Sequence, residues 1–379
     1  MKEAVPKNPK ILFVANVAKE HILKFHIPTI RMLAESGWQV DVACSGDDKV
    51  PYCNKQFEMK YKRSPFNIAL LKGIKQLKRI VEQGEYDIIY CHTPVGGVAA
   101  RLASIRARKK GTKVVYMAHG HYFYKGGPKL FWMVYYPIEK ILSAVTDSII
   151  LINQEDYDIT VKKFKNKKNF LINGIGVNTD RFDMSNRDER RKKHRQEMGI
   201  PEGATVLIYL AELIPNKNQT LLIRVLKKIL KEKKDVYLLL AGIDHTDGEF
   251  ERYAKKEGVS ENIRFLGWRE DVGDLYAMSD ICVASSIREG FGLNLVEAMS
   301  CKIPVVATIN RGHKTIINDT ENGFLVPLND EDFFASRIMQ LIEDKGLTMS
   351  IVQKAFEDCE KYSSQKILLE IKKILEEHI

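Results

Sequence analysis

Residues Arg288-Glu289-Gly290-Phe291-Gly292-Leu293-Asn294-Leu295-Val296-Glu297-Ala298-Met299 decide how this chain is read. Two carboxylates stand eight positions apart, the first in a glycine-flanked loop and the second inside an apolar run that reads as a helix. Ser285-Ser286 before the stretch and Pro304-Val305-Val306-Ala307-Thr308 after it read as a strand end and the next strand. The unit is therefore strand–loop–helix, with a charged loop. The helix is expected to open near Gly292, where its free N–H groups form an anion site. Glu297 then sits more than a turn inside. Carboxylates accept hydrogen bonds from hydroxyls, and backbone N–H groups hold phosphate. A ligand carrying both kinds of group, such as a sugar nucleotide, suits this pattern.

Working outward, strands and helices alternate. Ile11–Ala15, Trp38–Ala43, Tyr86–Cys91, Lys113–Met117 and Asp147–Ile152 read as buried strands in the first half. Thr205–Leu210, Val236–Ala241, Asn262–Leu266, Ile281–Ala284, Val305-Val306 and Gly323–Val326 repeat the scheme in the second. This is the βαβ rhythm of parallel, doubly wound sheets, whose ligands bind at the carboxyl ends of the strands. Asn173–Phe182, rich in glycine, reads as a hinge, and Arg187–Arg195 as an exposed charged helix that is not a nucleic-acid arm. The first strand is not followed by G-x-G-x-x-G, and the chain contains no G-x-x-x-x-G-K-[ST]. Dinucleotide dehydrogenase and P-loop ATPase chemistry are thereby disfavoured.

At 379 residues two domains are expected. No apolar run is long enough to span a bilayer, and the polar opening MKEAVPKNPK does not resemble a signal peptide. Six scattered cysteines show no zinc spacing and suit a reducing, cytoplasmic setting. Residues 1–178 hold 29 Lys+Arg against 15 Asp+Glu, so the whole net charge of +10 belongs to the first half. The clusters are Lys55–Arg63, Lys72–Arg79, Arg101–Lys113 and Lys162–Lys168. Such a face attracts nucleic acid or anionic lipid headgroups, or is simply a solvated surface.

The Glu289–Glu297 spacing, set in E-G-F-G before an apolar helix and a strand, resembles the E-x7-E motif of retaining family-4 glycosyltransferases of GT-B fold. That resemblance implies two Rossmann-like α/β domains facing across a cleft, with the last helix crossing back to the first domain. Residues 1–178 with 362–379 would bind the acceptor, and 179–361 the nucleotide-sugar donor. Glu289 would contact the donor sugar and Glu297 the ribose, with Phe291, Gly292 and Leu293 lining the donor loop. The family's G-R-L-x-x-x-K-G phosphate clamp keeps its lysine here as Lys217, but Glu212 stands at the arginine position. Gly242, at a strand end, would join the donor site, and Trp268 and Arg269, in the next strand-end loop, would bracket the base. Arg311 could supply the cation missing at Glu212.

Ala118-His119-Gly120-His121 follows a strand, and the family places a sugar-contacting histidine here; His119 aligns best and His121 second. The first strand runs into Asn16–Pro28 without the usual G-G loop. It is similar instead to exopolysaccharide and capsule transferases with an F-H-x-P element. His21, His26, His92 and His121 become acceptor-side candidates, or packing and capping residues. With no D-x-D and no His/Asp cluster in the sequence, neither a metal nor another cofactor is expected.

The resemblance thus implies transfer from a UDP-sugar to a cell-surface glycan or to a saccharide linked to a polyprenyl diphosphate lipid. The enzyme would be cytoplasmic and peripheral at the inner face of the cell membrane, held there by anionic lipid. The alternatives are a GT-B sugar-nucleotide epimerase or an inactive nucleotide-sugar-binding partner.

Overall fold

The computed structural model describes residues 8–60, 68–182 and 184–379. The opening MKEAVPK and part of the Lys55–Arg63 cluster lie outside the described residues. The chain forms two compact units: Met1–Gly176 with Gln365–Ile379, and Val177–Ser364.

In the first unit, seven parallel strands run in the order β3-β2-β1-β4-β5-β6-β7. They are β1 (Lys10–Val17), β2 (Gln39–Ser45), β3 (Lys55–Glu58), β4 (Ile88–His92), β5 (Lys113–Ala118), β6 (Ser148–Leu151) and β7 (Lys168–Leu171). Central strands are apolar along their whole length because helices cover both faces: Ile11 to Ala15 and Ile88 to Cys91 are fully buried. The strand order reverses between β1 and β4, which pair as Phe13↔Tyr90 and Val14↔Cys91. That reversal is the point where such sheets bind ligands.

The last helix, Ser364–Glu376, buries Ile367, Ile371, Ile374 and Leu375 as one stripe. It belongs to the first unit, as expected. Its tail is tied down by Ser148 Oγ to His378 Nε2 (2.8 Å) and Lys168 to Glu377 (2.8 Å).

In the second unit, six parallel strands follow the order β10-β9-β8-β11-β12-β13. They are β8 (Thr205–Leu210), β9 (Val236–Ala241), β10 (Ile263–Gly267), β11 (Ile281–Ala284), β12 (Val305–Thr308) and β13 (Phe324–Val326). The switch here lies between β8 and β11.

One expectation needs correcting. The charged helix, Arg187–Glu197, is not a free surface helix. Arg195 is fully buried, donating to the carbonyls of Met278 and Ala204 and to Asp280. Arg190 and Arg191 pair with Asp274 and Asp280. The basic helix Ile68–Gly84 turns most of its apolar positions inward, with Leu71 left exposed beside Lys72. Leu70, Ile74, Leu77 and Val81 pack into the core, leaving Lys72, Lys75 and Arg79 outside.

Candidate active site

In the second unit the site grows from two neighbouring strand ends. After β8 the chain passes Glu212 and makes a tight turn at Pro215–Lys217. After β11 it passes Ser285 and Ser286 to Glu289. Ile287 N donates to Asn216 O (2.9 Å), and Asn216 Nδ2 to Arg288 O (3.0 Å), lacing the two loops together. Lys217 Nζ consequently reaches Glu289 Oε1 in a short ion pair. Ser286 Oγ donates to the same oxygen (2.7 Å), so the Tyr209 hydroxyl, 2.6 Å from Ser286 Oγ, donates in turn to the serine. Burial raises the Glu289 carboxyl, but Lys217, His313 and Ser286 outweigh it and hold the group below its usual range. Glu289 is therefore a carboxylate at neutral pH.

The helix that follows opens at Leu293, with Gly292 at φ 120° as its cap. A side chain is strained at that φ, and a Cβ would press on His313 at 3.2 Å. Glu297 lies one turn in, its Oε2 3.1 Å from the Tyr276 hydroxyl. Burial pushes its carboxyl up, opposed by Tyr276 and Arg181. The two glutamates thus share a loop–helix but not an environment. One is held charged by a cation, while the other is half-desolvated beside a phenol. Asn294 adds a group that sequence reasoning missed: its Nδ2 is buried with no hydrogen-bond partner among the described residues.

The remaining donor-loop candidates divide. A Cβ on Gly242 would lie 2.0 Å from the Ala211 carbonyl oxygen, so this glycine lets the β8 and β9 ends approach. Trp268 is 62% exposed and free to stack on a planar ligand. Arg269 is committed to a bidentate pair with Asp271. Arg311 is buried, with Nε 3.3 Å from the Glu289 carbonyl oxygen. Glu212 is exposed.

In the first unit, β1 continues into a π-helical segment, Ala18–His26. Residues five apart lie about 140° from each other around an α-helix, but i→i+5 winding brings them to one side. His21 and His26 therefore meet, Nε2 to Nε2 at 3.1 Å. His92 ends β4 and His119 follows β5; register His92↔Met117 sets them together, His119 Nε2 being 3.4 Å from His92 Nδ1. One ring nitrogen from each of the four lies within 4.8 Å of every other. The expectation that the chain lacks a histidine cluster is overturned, because separations of 5, 66 and 27 residues carry no local signal.

His121 does not join them. It is buried, stacked on Phe123, with Nε2 3.1 Å from Thr160 Oγ1.

Beside the tetrad, Thr93 holds a positive φ of 62°, a strained conformation for a β-branched residue. A pocket of about 330 Å³ opens there, lined by Asn16, Thr93, Tyr122, Tyr135 and Glu139 among others. Asn16 Oδ1 is buried and unpartnered among the described residues. Tyr122 stacks on Tyr135 at 4.5 Å. Glu139 forms a buried bidentate pair with Arg101, at 2.7 and 3.0 Å. Sequence reasoning missed Asn16, Tyr122 and Tyr135, since an isolated asparagine or tyrosine has no spacing to read.

Two Rossmann-like units, one bearing a paired-glutamate loop–helix at its switch point, define a glycosyltransferase of GT-B fold. Residues 190–358 match the family "Glycosyl transferases group 1", and residues 10–153 match "Glycosyl transferase 4-like". The chain is 42% identical over 365 residues to "Putative glycosyltransferase EpsD" of Bacillus subtilis, covering 96% of this chain and 95% of that protein. It is 26% identical over 296 residues to the UDP-Gal:alpha-D-GlcNAc-diphosphoundecaprenol alpha-1,3-galactosyltransferase of Escherichia coli, covering 75% and 74%. The crystal structure of Anabaena Alr3699/HepE with UDP and glucose shares the fold at a TM-score of 0.80 and 22% identity, over 98% of this chain and 100% of that one. The chain belongs to the group 1 glycosyltransferases, with a family-4-like N-terminal region.

Proposed function

We propose that this enzyme is a retaining transferase that moves a sugar from a UDP-sugar to a lipid-linked or cell-surface saccharide in exopolysaccharide or capsule synthesis. The observation that carries the donor reading is the Lys217–Glu289–Ser286 network at the β8/β11 switch, next to the helix that opens at Leu293. Lys217 and the N–H groups at the helix start meet the diphosphate. Glu289 accepts from hydroxyls of the transferring sugar, and Glu297 from the ribose. Trp268 is available to the base. Bond formation on the face that the nucleotide leaves lets a departing phosphate oxygen take the acceptor proton. The protein's part is then positioning and stabilising the charge that develops on the diphosphate. The diphosphate needs no bridging metal in this scheme.

The acceptor belongs to the first unit, where the pocket beside Thr93 combines an aromatic platform with the unspent Asn16 oxygen. A lipid-linked acceptor must be met at the bilayer surface. No helix among the described residues is long and apolar enough to cross a membrane. Attachment would instead be electrostatic through Lys72, Lys75 and Arg79. The helix Lys129–Ser143 would assist, since it exposes Leu130, Met133 and Ile141 alongside Lys129 and Lys140. Titrating the protein with a panel of nucleotide sugars by calorimetry tests the donor reading. Tight binding of UDP and a UDP-sugar supports it, and binding of neither overturns it.

A further inference from the structure

We propose that His21, His26, His92 and His119 form a binding site for a single transition-metal ion of the zinc class, built into the switch point of the first sheet. The four rings come from three strand ends: the segment after β1, the end of β4 and the loop after β5. A tetrahedral zinc with Zn–N of about 2.0–2.1 Å spaces its ligand nitrogens by about 3.4 Å. The tetrad presents 3.1 Å for His21–His26 and 3.4 Å for His92–His119, and all four ligand atoms lie within 4.8 Å of one another. Small side-chain adjustments close the rest.

A second observation is independent of this spacing. His92 is fully buried, and Nδ1, the nitrogen that faces His119, is recorded only against another imidazole. Four rings in mutual contact, at centroid distances of 3.8 Å for His26–His92 and 4.8 Å for His21–His119, have little else to bond.

The donor set selects the ion. Imidazole alone, with neither thiolate nor carboxylate, suits zinc, copper, nickel or cobalt, and is a poor match for the oxygen-seeking magnesium and calcium. The ligands also stand ready in the neutral form. Burial lowers His21 to about 4, and burial together with the neighbouring rings holds His26, His92 and His119 well below their ordinary value. Ligation therefore displaces few protons at neutral pH. The winding of Ala18–His26 gains a purpose as well: only an i→i+5 turn aims His21 and His26 at one point.

Such an ion would pin three loops at the strand ends. Coordination through His119 Nε2, the nitrogen that faces His92, would leave its proton on Nδ1 and fix that ring as a donor. This is a positioning role, separate from the diphosphate chemistry of the second unit.

The test uses the full chain, purified without a histidine tag, equilibrated with zinc, passed over a desalting column and assayed by elemental analysis. One zinc per chain is expected. His92→Gln and His119→Gln should each lower retention at least tenfold while leaving UDP affinity unchanged. Circular dichroism and thermal unfolding check that the variants fold. Cobalt loading gives a second readout, since tetrahedral coordination produces strong visible absorption that the variants should lose. Less than a tenth of an equivalent retained by the wild type would overturn the proposal. Retention that persists in both variants would also do so. Because UDP binding is measured on the same samples, loss of the metal site and failure of the donor site are told apart.

Discussion

Replacing Glu289 by glutamine keeps its shape but removes its charge, and the structure sets the size of each consequence. The Lys217–Glu289 pair sits between the surface and buried limits, with side-chain exposures of 22% and 18%. Exposed pairs contribute about 0–1 kcal/mol, and breaking buried ones costs about 3–5 kcal/mol. A loss of about 2 kcal/mol is therefore expected in the second unit. A domain of this size shifts by about 2–4 °C per kcal/mol, so its unfolding midpoint should fall by roughly 4–8 °C. UDP affinity should move the other way or not at all, because Lys217, released from its carboxylate, has its full charge for the diphosphate. Turnover with a UDP-sugar should fall about ten- to hundredfold, the worth of one charged hydrogen bond to the transferring sugar at about 1.5–3 kcal/mol. Calorimetric titration with UDP, steady-state kinetics and thermal unfolding on one preparation give all three numbers. A UDP affinity weakened tenfold with turnover unchanged would refute the assignment of Glu289 to the sugar.

Glu297→Ala should do the reverse and weaken UDP itself about ten- to hundredfold, as calorimetry would record. Lys217→Ala should impair both UDP binding and transfer, whereas adding magnesium should leave UDP affinity unchanged; wild-type kinetics in the lysine variant would move the phosphate contact elsewhere. Burial alone would raise Asp147, but hydrogen bonds from Arg108, Val114 N–H and Lys167 lower it to about 2. Its folded value lies below the unfolded value of about 3.9, so its contribution is full above pH 4 and is lost as pH falls toward 2. Allowing for solvent screening this is about 1–2 kcal/mol; acid unfolding of Asp147→Asn should show a correspondingly shallower loss of stability between pH 4 and 2. Sedimentation with anionic vesicles should capture the protein at low salt and release it at high salt. Replacing Lys72, Lys75, Lys78 and Arg79 by glutamine should cut that binding without changing UDP affinity, and equal binding to neutral vesicles would count against the electrostatic attachment.

Particular residues show what the sequence could and could not carry. Central strands such as Ile11–Ala15 and Val236–Ala241 are covered on both faces, so burial writes an unbroken apolar run that can be read directly. The edge strands β3 and β7, KQFE and KNFL, went unread because edge positions favour charged side chains and alternate irregularly. Glu289, Gly292 and Glu297 were legible because one loop–helix holds all three, and their spacing is local. The Lys217–Glu289 pair spans 72 residues, and the histidine tetrad spans three strand ends. Both depend on strand order, which no local pattern specifies. The Arg187–Glu197 helix misled for a related reason. Its charges read as solvated, yet Asp274 and Asp280 come from another part of the chain to bury them.

The central claim is that the paired glutamates hold a UDP-sugar for transfer with retention. The most direct measurement is the anomeric configuration of the product formed from an α-linked UDP-sugar and a polyprenyl-diphosphate-linked saccharide, read by proton NMR for the wild type and Glu289→Gln. The account predicts an α-linked product from the wild type, formed at least tenfold more slowly by the variant. A β-linked product, or an α-linked one formed equally fast by the variant, would contradict it.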